Sequence, residues 1–347
     1  MKKTPITSVL VPKLQIGSGL ALGAAFAILF AAGGATAQDR PLFLNVGSTS
    51  TGSGHYPYWV AVGQSIEEGT GGQIQANIME TGAAIDNLRR MRRGEIEFGL
   101  ITAEAAAQAY LGLGAFEGEE PYEELRTLWY YVAAPNMFIV RADADVASLA
   151  DLDGRRYNPG IPGSSTESIS LAAFEVLGIS PDIHRGGTTD AVDATRDGQI
   201  VGFTKSAAGT DAQDSSFVEL NTFIDVRVLS MTEEEVAQIV DAYPYFPPLE
   251  IPPGLYPDQD EPYRTIAVVP GAVASSETLT EEDAYEIVKA VFENKALQED
   301  AFAGVRNVEF AEVTLEFAMV PLHAGAVRYF REIGVEVPEE LVPPEAE

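Results

Sequence analysis

The chain has 347 residues, with 52 acidic residues against 22 Lys and Arg, and it contains no Cys. A net charge of −30 makes nucleic acids poor partners, because the field of the protein repels polyanions. Without disulfides the fold must depend on an ordinary hydrophobic core, and the length allows two domains.

The N-terminal segment has the pattern of a secretory signal peptide. Three Lys flank or precede an apolar stretch over 20–32, which ends in the small-x-small site at 35–37. We predict a signal peptide over 1–37, cleaved after Ala37, and a mature protein in the periplasm. Removing these three Lys and no acid lowers the net charge from −30 to −33, which favours solubility.

Apolar runs then alternate with helical patterns, as is typical of an α/β protein with a mainly parallel sheet. Gly69 and Gly94 follow the first two helices at expected C-cap positions. In this part of the chain the predicted strands are 42–46, 74–78 and 96–101, and the predicted helices are 58–68 and 85–93.

A second set of the same kind follows the apolar stretch 127–140. Its strands are predicted at 155–158, 182–185, 200–204 and 226–229, and its helices at 165–177, 190–196 and 233–242. The segment 243–262 contains seven Pro in twenty residues, which excludes a central strand or a helix, and is predicted to be a loop returning to the first domain. A strand at 265–269 and helices at 281–294 and 324–333 complete the pattern.

This order predicts two α/β lobes, the second inserted into the first. Lobe 1 takes 38–138 and 263–347, lobe 2 takes 139–262, and the hinge crossings fall near 137–140 and 262–266. Ligands of open α/β sheets bind at the carboxyl ends of strands, so a ligand cleft is expected between the lobes.

The loop "GSTSTGSGHYPYW" at 47–59 joins the first strand to the first helix at such an edge. It lacks the Gly-Lys-Ser/Thr of a P-loop, and its Gly spacing does not match a dinucleotide fingerprint. The alternative is a flexible connection, but five hydroxyl residues between 48 and 53 favour a ligand loop. "PGIPGSSTES" at 159–168 has the same construction, and we expect the two loops to bind opposite ends of a small anion.

Catalytic signals are weak. The chain has neither a Cys nucleophile nor a Gly-x-Ser-x-Gly motif, and His55, His184 and His323 are too scattered for a metal site. Because the chain has 52 acidic residues, the presence of any particular pair of carboxylates does not indicate a catalytic site. We therefore predict no enzyme activity, no catalytic residue, no metal and no cofactor.

Several motifs in order resemble the TAXI-class solute receptors of TRAP transporters over about 43–334. They are the 47–59 loop, "ETGAAIDNLRRMRRGEIEFGLI", "ADLDGRRYNPGIPGSST", "RDGQIVGF", the Pro-rich 243–262 and "VPLHAGAVRYFRE". The resemblance implies a type II periplasmic-binding-protein-like fold whose lobes close on a small carboxylate such as glutamate, glutamine or 2-oxoglutarate. It also implies delivery to a TRAP membrane permease by a monomeric receptor, and a structural role for His323.

The resemblance places the binding residues in the two loops, the helix between them and the Pro-rich segment: Thr49, Ser50, Thr51, Gly52, Tyr56, Thr81, Gly82, Asn87, Thr102, Ser164, Ser165, Thr166 and Tyr245. The chain departs from the family pattern at one stretch, and this departure bears on the identity of the ligand. After "DGQIVGF" the family continues with small apolar residues, whereas this chain has Thr204, Lys205 and Ser206.

Lys205 follows a strand of the second lobe, at the edge where ligands bind. It is either a surface Lys paired with an acid or the cation that a carboxylate needs in so acidic a protein. In the second case, Lys205→Ala should weaken carboxylate binding and leave the melting temperature of the apo protein nearly unchanged.

Two other functions remain open at this point: an exported enzyme on the same fold, and a ligand-sensing module for a membrane signalling partner. Fold alone does not separate them from a transport receptor.

Overall fold

The structure, a computed structural model, describes residues 41–257 and 259–346. The predicted signal peptide lies outside these residues. Within them the chain forms two β-sheets, each covered by helices.

The first sheet is built from both ends of the described chain. Its elements are β1 Leu42–Gly47, α1 His55–Gly69, β2 Ile74–Met79, α2 Ala84–Arg92, β3 Phe98–Thr102, α3 Ala103–Leu111, β4 Leu125–Tyr130 and, after the second sheet, β12 Pro270–Ser275, α8 Glu281–Glu293, α9 Lys295–Ala301, α10 Phe310–Phe317 and α11 Ala324–Glu332. The strand order is β2-β1-β3-β12-β4. Strands β1, β2 and β3 are parallel, and β12 runs antiparallel to β3 and β4.

The second sheet takes the middle of the chain. Its elements are β5 Ala134–Arg141, β6 Arg156–Asn158, α4 Ser165–Leu177, β7 Asp182–Ile183, α5 Thr188–Arg196, β8 Gly202–Ser206, α6 Ser215–Asn221, β9 Val226–Leu229, α7 Glu233–Ala242, β10 Pro248–Ile251 and β11 Tyr263–Val268. The strand order is β10-β11-β5-β8-β6-β7, and β9 also pairs with β5.

The chain passes between the sheets twice, at 131–133 and at Val269. We call 41–130 with 270–346 the first lobe, and 134–268 the second lobe. The passages predicted at 137–140 and 262–266 instead lie inside β5 and β11. At both places two buried strands follow one another almost directly, so the sequence shows one apolar run where the chain changes sheet.

Burial explains why β5 is the central strand of the second lobe. Phe138 and Val140 pack in the core on one face of the sheet, and Met137 and Ile139 pack in the core on the other. Side chains alternate between faces along a strand, so both faces of β5 are covered and its four central positions, 137–140, are apolar.

Some predictions about local structure are wrong. The second sheet is not mainly parallel, because β5 is antiparallel to β8, β9 and β11. The Pro-rich segment, predicted to be a loop, supplies β10, an edge strand of the second lobe and a position that tolerates Pro. Helix α1 continues through Gly69, while Gly94, with φ +68°, does follow α2 as predicted.

Candidate functional site

The two lobes enclose a cavity at the ends of β1, β3 and β8. One part of its wall consists of hydroxyl side chains from both lobes: Thr49, Ser53, Thr102, Ser164, Ser165, Thr166, Thr188, Thr204 and Ser206. Another part is apolar: Ala83, Ala84, Leu100, Ile161, Ala191, Phe203, Val268 and Pro270. His55, Asn158, Gly186, Gly187 and Lys205 complete the lining.

The first loop, 48–54, is held in place by side chains of the first lobe. The carbonyl of Ser48 accepts hydrogen bonds from Thr81 Oγ1 at 2.8 Å and from Asn87 Nδ2 at 2.9 Å. Asn87 also donates to the carbonyl of Leu100 at 2.8 Å, which joins the loop to β3. Thr49 therefore faces the cavity from a fixed backbone, while Thr81 and Asn87 lie behind it.

Other predicted residues of this loop lie at the rim, outside the cavity lining. Thr51 is exposed and donates to Glu80 through its backbone N–H at 2.9 Å and its hydroxyl at 3.1 Å. Ser50 accepts the N–H of Ser53 at 3.0 Å, and Tyr56 is partly buried in the first turn of α1. Gly52 faces the second lobe, where a Cβ on it would lie 3.6 Å from Cβ of Thr189.

The second loop and the start of α4 place Ser164, Ser165 and Thr166 in the cavity wall, as the sequence predicted. Ser164 is the N-cap of α4 and accepts the N–H of Glu167 at 3.1 Å. Ser165 Oγ lies 2.6 Å from Thr102 Oγ1, a hydrogen bond that joins the two lobes across the cavity.

Backbone contacts also join the lobes, so the cleft is closed. The carbonyl of Gly163 accepts the N–H groups of Ile85 at 2.9 Å and Asp86 at 3.1 Å, at the start of α2. A Cβ on Gly82 would come within 2.8 Å of the carbonyl of Pro162. Gly82 thus permits close approach of the lobes at the edge of the cavity.

Tyr245 is apart from the cavity. It packs against Phe246 and Tyr243, with ring centroids 5.0 Å and 6.0 Å away. Its hydroxyl reaches the turn at Gly114 of the first lobe, so it contacts the lobe boundary away from the hydroxyl wall.

Lys205 is a buried cation of the cavity wall and not a surface residue. Only 6% of its side chain is exposed, and its Nζ lies 2.9 Å from the carbonyl of Ser206 and 3.4 Å from Oδ2 of Asp214. Asp214 is fully buried at the N-cap of α6, where Oδ1 accepts the N–H of Ser216 at 2.9 Å and also the Ser216 hydroxyl.

The ionisation of this group follows from burial and charge. Burial alone would raise the pKa of Asp214, but the charge of Lys205 and the hydrogen bonds from Ser216 outweigh it, so the pKa is lowered. The pKa of His55 is lowered to about 3, mainly by burial and secondly by the charge of Lys205. His55 is therefore neutral at pH 7, with Nδ1 3.0 Å from the hydroxyl of Tyr131.

Sequence reasoning missed part of the site. Thr188 Oγ1 and Ser206 Oγ are buried in the wall and have no hydrogen-bond partner among the described residues. Buried polar atoms are normally paired, so these two hydroxyls are available to a ligand. Gly186-Gly187-Thr188 follows a strand and precedes a helix, the construction that identified the other two loops, and that signal was present in the sequence.

Outside the cavity, His323 accepts the N–H of Gly325 at 3.2 Å and caps α11, which confirms its structural role. His184 lies 2.8 Å from Asp190 on the surface.

Among the described residues, no group of three or more His, Asp or Glu is arranged to hold a metal ion. The same residues include no helix with both the length and the apolar character needed to cross a membrane.

This arrangement of two sheets around a closed polar cavity is the two-lobed fold of periplasmic binding proteins, as predicted. The structure is similar to that of the periplasmic binding protein BugD, with 15% identity and a TM-score of 0.51, over 86% of this chain and 100% of that chain. A protein from Bordetella bronchiseptica RB50 matches with 15% identity and a TM-score of 0.50, over 87% and 85%. A TRAP periplasmic solute-binding protein from a Sulfitobacter species, with bound β-D-galacturonate, matches with 13% identity and a TM-score of 0.44, over 84% and 88%.

The amino-acid sequence shows to which family the chain belongs. The model of the NMT1-like family matches residues 46–334, and the chain belongs to that family.

Proposed function

We propose that this protein is a TAXI-class solute receptor that works in the periplasm. It captures a small carboxylate between its lobes and delivers it to a TRAP permease, without chemistry of its own. The observation that carries the proposal is the buried ammonium of Lys205 in the wall of a closed cavity, beside hydroxyls that lack partners.

The charge of the whole molecule supports a role for this cation. A mature charge of −33 opposes an anionic ligand, so capture requires a local positive group shielded from solvent. A charge-assisted hydrogen bond from Lys205 to a carboxylate contributes about 1.5 to 3 kcal/mol. Ser206 and Thr188 add donors on the same wall.

The residues of the proposed site have two kinds of role, according to whether they line the cavity. Residues of the lining contact the ligand directly: Thr49, Thr102, Ser164, Ser165, Thr166, Thr188, Lys205 and Ser206. Thr81 and Asn87 position the first loop, and Gly52 and Gly82 allow the lobes to approach.

A thermal-shift screen of carboxylates, with glutamate, glutamine and 2-oxoglutarate included, tests the proposal. A ligand at 100 times its dissociation constant adds about 2.7 kcal/mol of stability. For the best ligand, Lys205→Ala should weaken binding about 10-fold to 150-fold in calorimetric titration, at about 1.4 kcal/mol per decade. If no carboxylate binds, or if the variant binds as tightly as wild type, the proposal fails.

Transport and sensing are separated by a second experiment. Vesicles containing a TRAP permease encoded beside this gene should accumulate the ligand only when the receptor is added. Binding without any permease-dependent uptake would favour the sensing function instead.

Intact-mass analysis of the exported protein should show a chain that starts at Gln38.

A further inference from the structure

The charge of Lys205 is balanced before any ligand enters. Among the described residues that line it, Lys205 alone is charged at neutral pH, and its Nζ lies 3.4 Å from the fully buried Asp214 carboxylate. His55, the other titratable group of the wall, is neutral there. One bound carboxylate therefore leaves the buried group with one net negative charge, and a second carboxylate would leave it with two.

The rest of the wall matches an apolar chain. Phe203 and Lys205 are two residues apart on β8, so they share a face of the sheet about 7 Å apart. Leu100, Ile161 and Val268 extend the apolar surface across both lobes. A carboxylate at Lys205 would place the remainder of the ligand against this surface.

A second charge on the ligand would be costly at that surface. A buried carboxylate requires a charged or hydrogen-bonding partner, and so does a buried ammonium. The acid closest to the cavity cation, Asp214, is fully buried behind Lys205: its Oδ1 accepts two hydrogen bonds from Ser216, and its Oδ2 lies 3.4 Å from Lys205 Nζ without a hydrogen bond. Its negative charge therefore compensates Lys205 from inside the protein, and Asp214 is not part of the cavity lining.

We propose that the ligand is a monocarboxylate with a short apolar chain, and that Asp214 is the residue that sets this selectivity by balancing Lys205. The inference rests on the proposed receptor function. It narrows the ligand to one negative charge and excludes dicarboxylates and amino acids as preferred ligands.

Three probes with the same five-carbon chain test the inference by calorimetric titration of the mature protein at pH 7: pentanoate, glutarate and norvaline. Glutarate has a second carboxylate in place of the terminal methyl of pentanoate, and norvaline has an ammonium on the carbon next to the carboxylate. Pentanoate should bind at least 10-fold more tightly than either. If glutarate or norvaline binds as tightly as pentanoate, the inference is overturned and the receptor function stands. If none of the three binds, and the wider carboxylate screen also shows no ligand, both fail.

The variant Asp214→Asn tests the role of the acid. Asn keeps a side-chain oxygen that can accept the N–H of Ser216 at the N-cap of α6, so the helix retains its cap. Without the Asp214 charge, the cavity accepts one more negative charge, and glutarate should gain affinity at least 10-fold relative to pentanoate. An unchanged ratio between the two probes would contradict a selectivity role for Asp214. The wild-type comparison of the three probes decides the ligand class even if this variant does not fold.

Discussion

At the scale of single residues, Lys205 shows how burial changes the effect of a substitution. From the sequence, Lys205→Ala was expected to leave apo stability nearly unchanged. The structure predicts a different result, because Lys205 is the buried partner of a carboxylate that has no access to solvent. Removing one member of a buried ion pair leaves the other charge uncompensated.

Lys205→Met should therefore lower the free energy of unfolding of the apo protein by about 3 kcal/mol at pH 7. The double variant with Asp214→Asn should recover most of this loss, because both charges are then absent. Urea denaturation measures both values. Lys295→Met is the matched control, since Lys295 forms a partly exposed pair with Glu299 at 3.1 Å, worth about 0 to 1 kcal/mol. Equal losses for Lys205→Met and Lys295→Met would contradict the buried pair.

His55 in the cavity wall and the buried Glu104 in the first turn of α3 should affect stability in opposite directions as the pH falls. His55 has a folded-state pKa of about 3 against 6.5, so between these values the unfolded chain holds the extra proton and acid destabilises the fold. Burial raises the pKa of Glu104 from 4.5 to about 7, so between these values the folded protein holds the extra proton and acid stabilises it. The two effects oppose each other between about pH 4.5 and 6.5.

Single variants should reveal each effect. Relative to wild type, His55→Gln should gain about 1.4 kcal/mol of stability per pH unit as the pH falls from 6 to 5. Glu104→Gln should lose a similar amount per unit over the same range. Urea denaturation at these two pH values checks both slopes. Curves that run parallel to wild type for both variants would show that neither group titrates as described.

At the scale of elements, β1 and β3 approach closely where β1 enters the first loop. Gly47 and Gly99 are paired in the parallel ladder. A Cβ on Gly99 would lie 3.0 Å from both N and Cα of Gly47, closer than side chains normally approach backbone. Position 99 therefore requires Gly, and the start of the loop depends on this contact.

Gly99→Ala should destabilise the protein by about 1 to 3 kcal/mol, the usual cost of overpacking a core. Because β1 must move, ligand affinity should fall as well. Gly187→Ala is the comparison for stability, since its new methyl would meet no atom within 4 Å. Thermal unfolding of the two apo variants gives the result, and a melting temperature for Gly99→Ala at or above that of Gly187→Ala would refute the close contact.

At the scale of the whole molecule, ligand exchange requires the closed lobes to separate. The contacts that hold them together include the Thr102 to Ser165 hydrogen bond and the two hydrogen bonds from the start of α2 to the carbonyl of Gly163. The two passages between the sheets, at 131–133 and Val269, are the proposed hinge. Closure of two lobes about such short segments is a common motion of binding proteins.

A cross-lobe disulfide should lock the molecule closed. Positions 52 and 189 are exposed at the rim, their Cβ atoms would be 3.6 Å apart, and this separation suits a disulfide. The double variant Gly52→Cys with Thr189→Cys introduces the only thiols, because the chain has no Cys. After oxidation, ligand association should slow at least 10-fold and the radius of gyration should equal that of the ligand-bound wild type. Reduction should restore both, and rapid binding to the oxidised form would show that the lobes need not open.

The sequence by itself determined the α/β class, and it predicted the insertion of one lobe into the other and the two hydroxyl loops. These features depend on local pattern: apolar runs separated by helices, and Gly with Ser or Thr between a strand and a helix. For the same reason it located Thr49, Thr102, Ser164, Ser165, Thr166 and Lys205, which all line the cavity. The Gly-Thr loop before α5 carried the same local signal.

Only the tertiary structure decided the strand order, the passages between sheets and the state of the charged groups. The segments 127–140 and 263–275 are buried on both faces, so no periodicity marks where one strand ends and the next joins another sheet. The partner of Lys205 is nine residues further along the chain, among 52 acids that are equivalent in the sequence. Which of these acids pairs with Lys205 depends on three-dimensional distance and on the exclusion of water. Neither can be deduced from the local sequence pattern, so only the fold identifies Asp214.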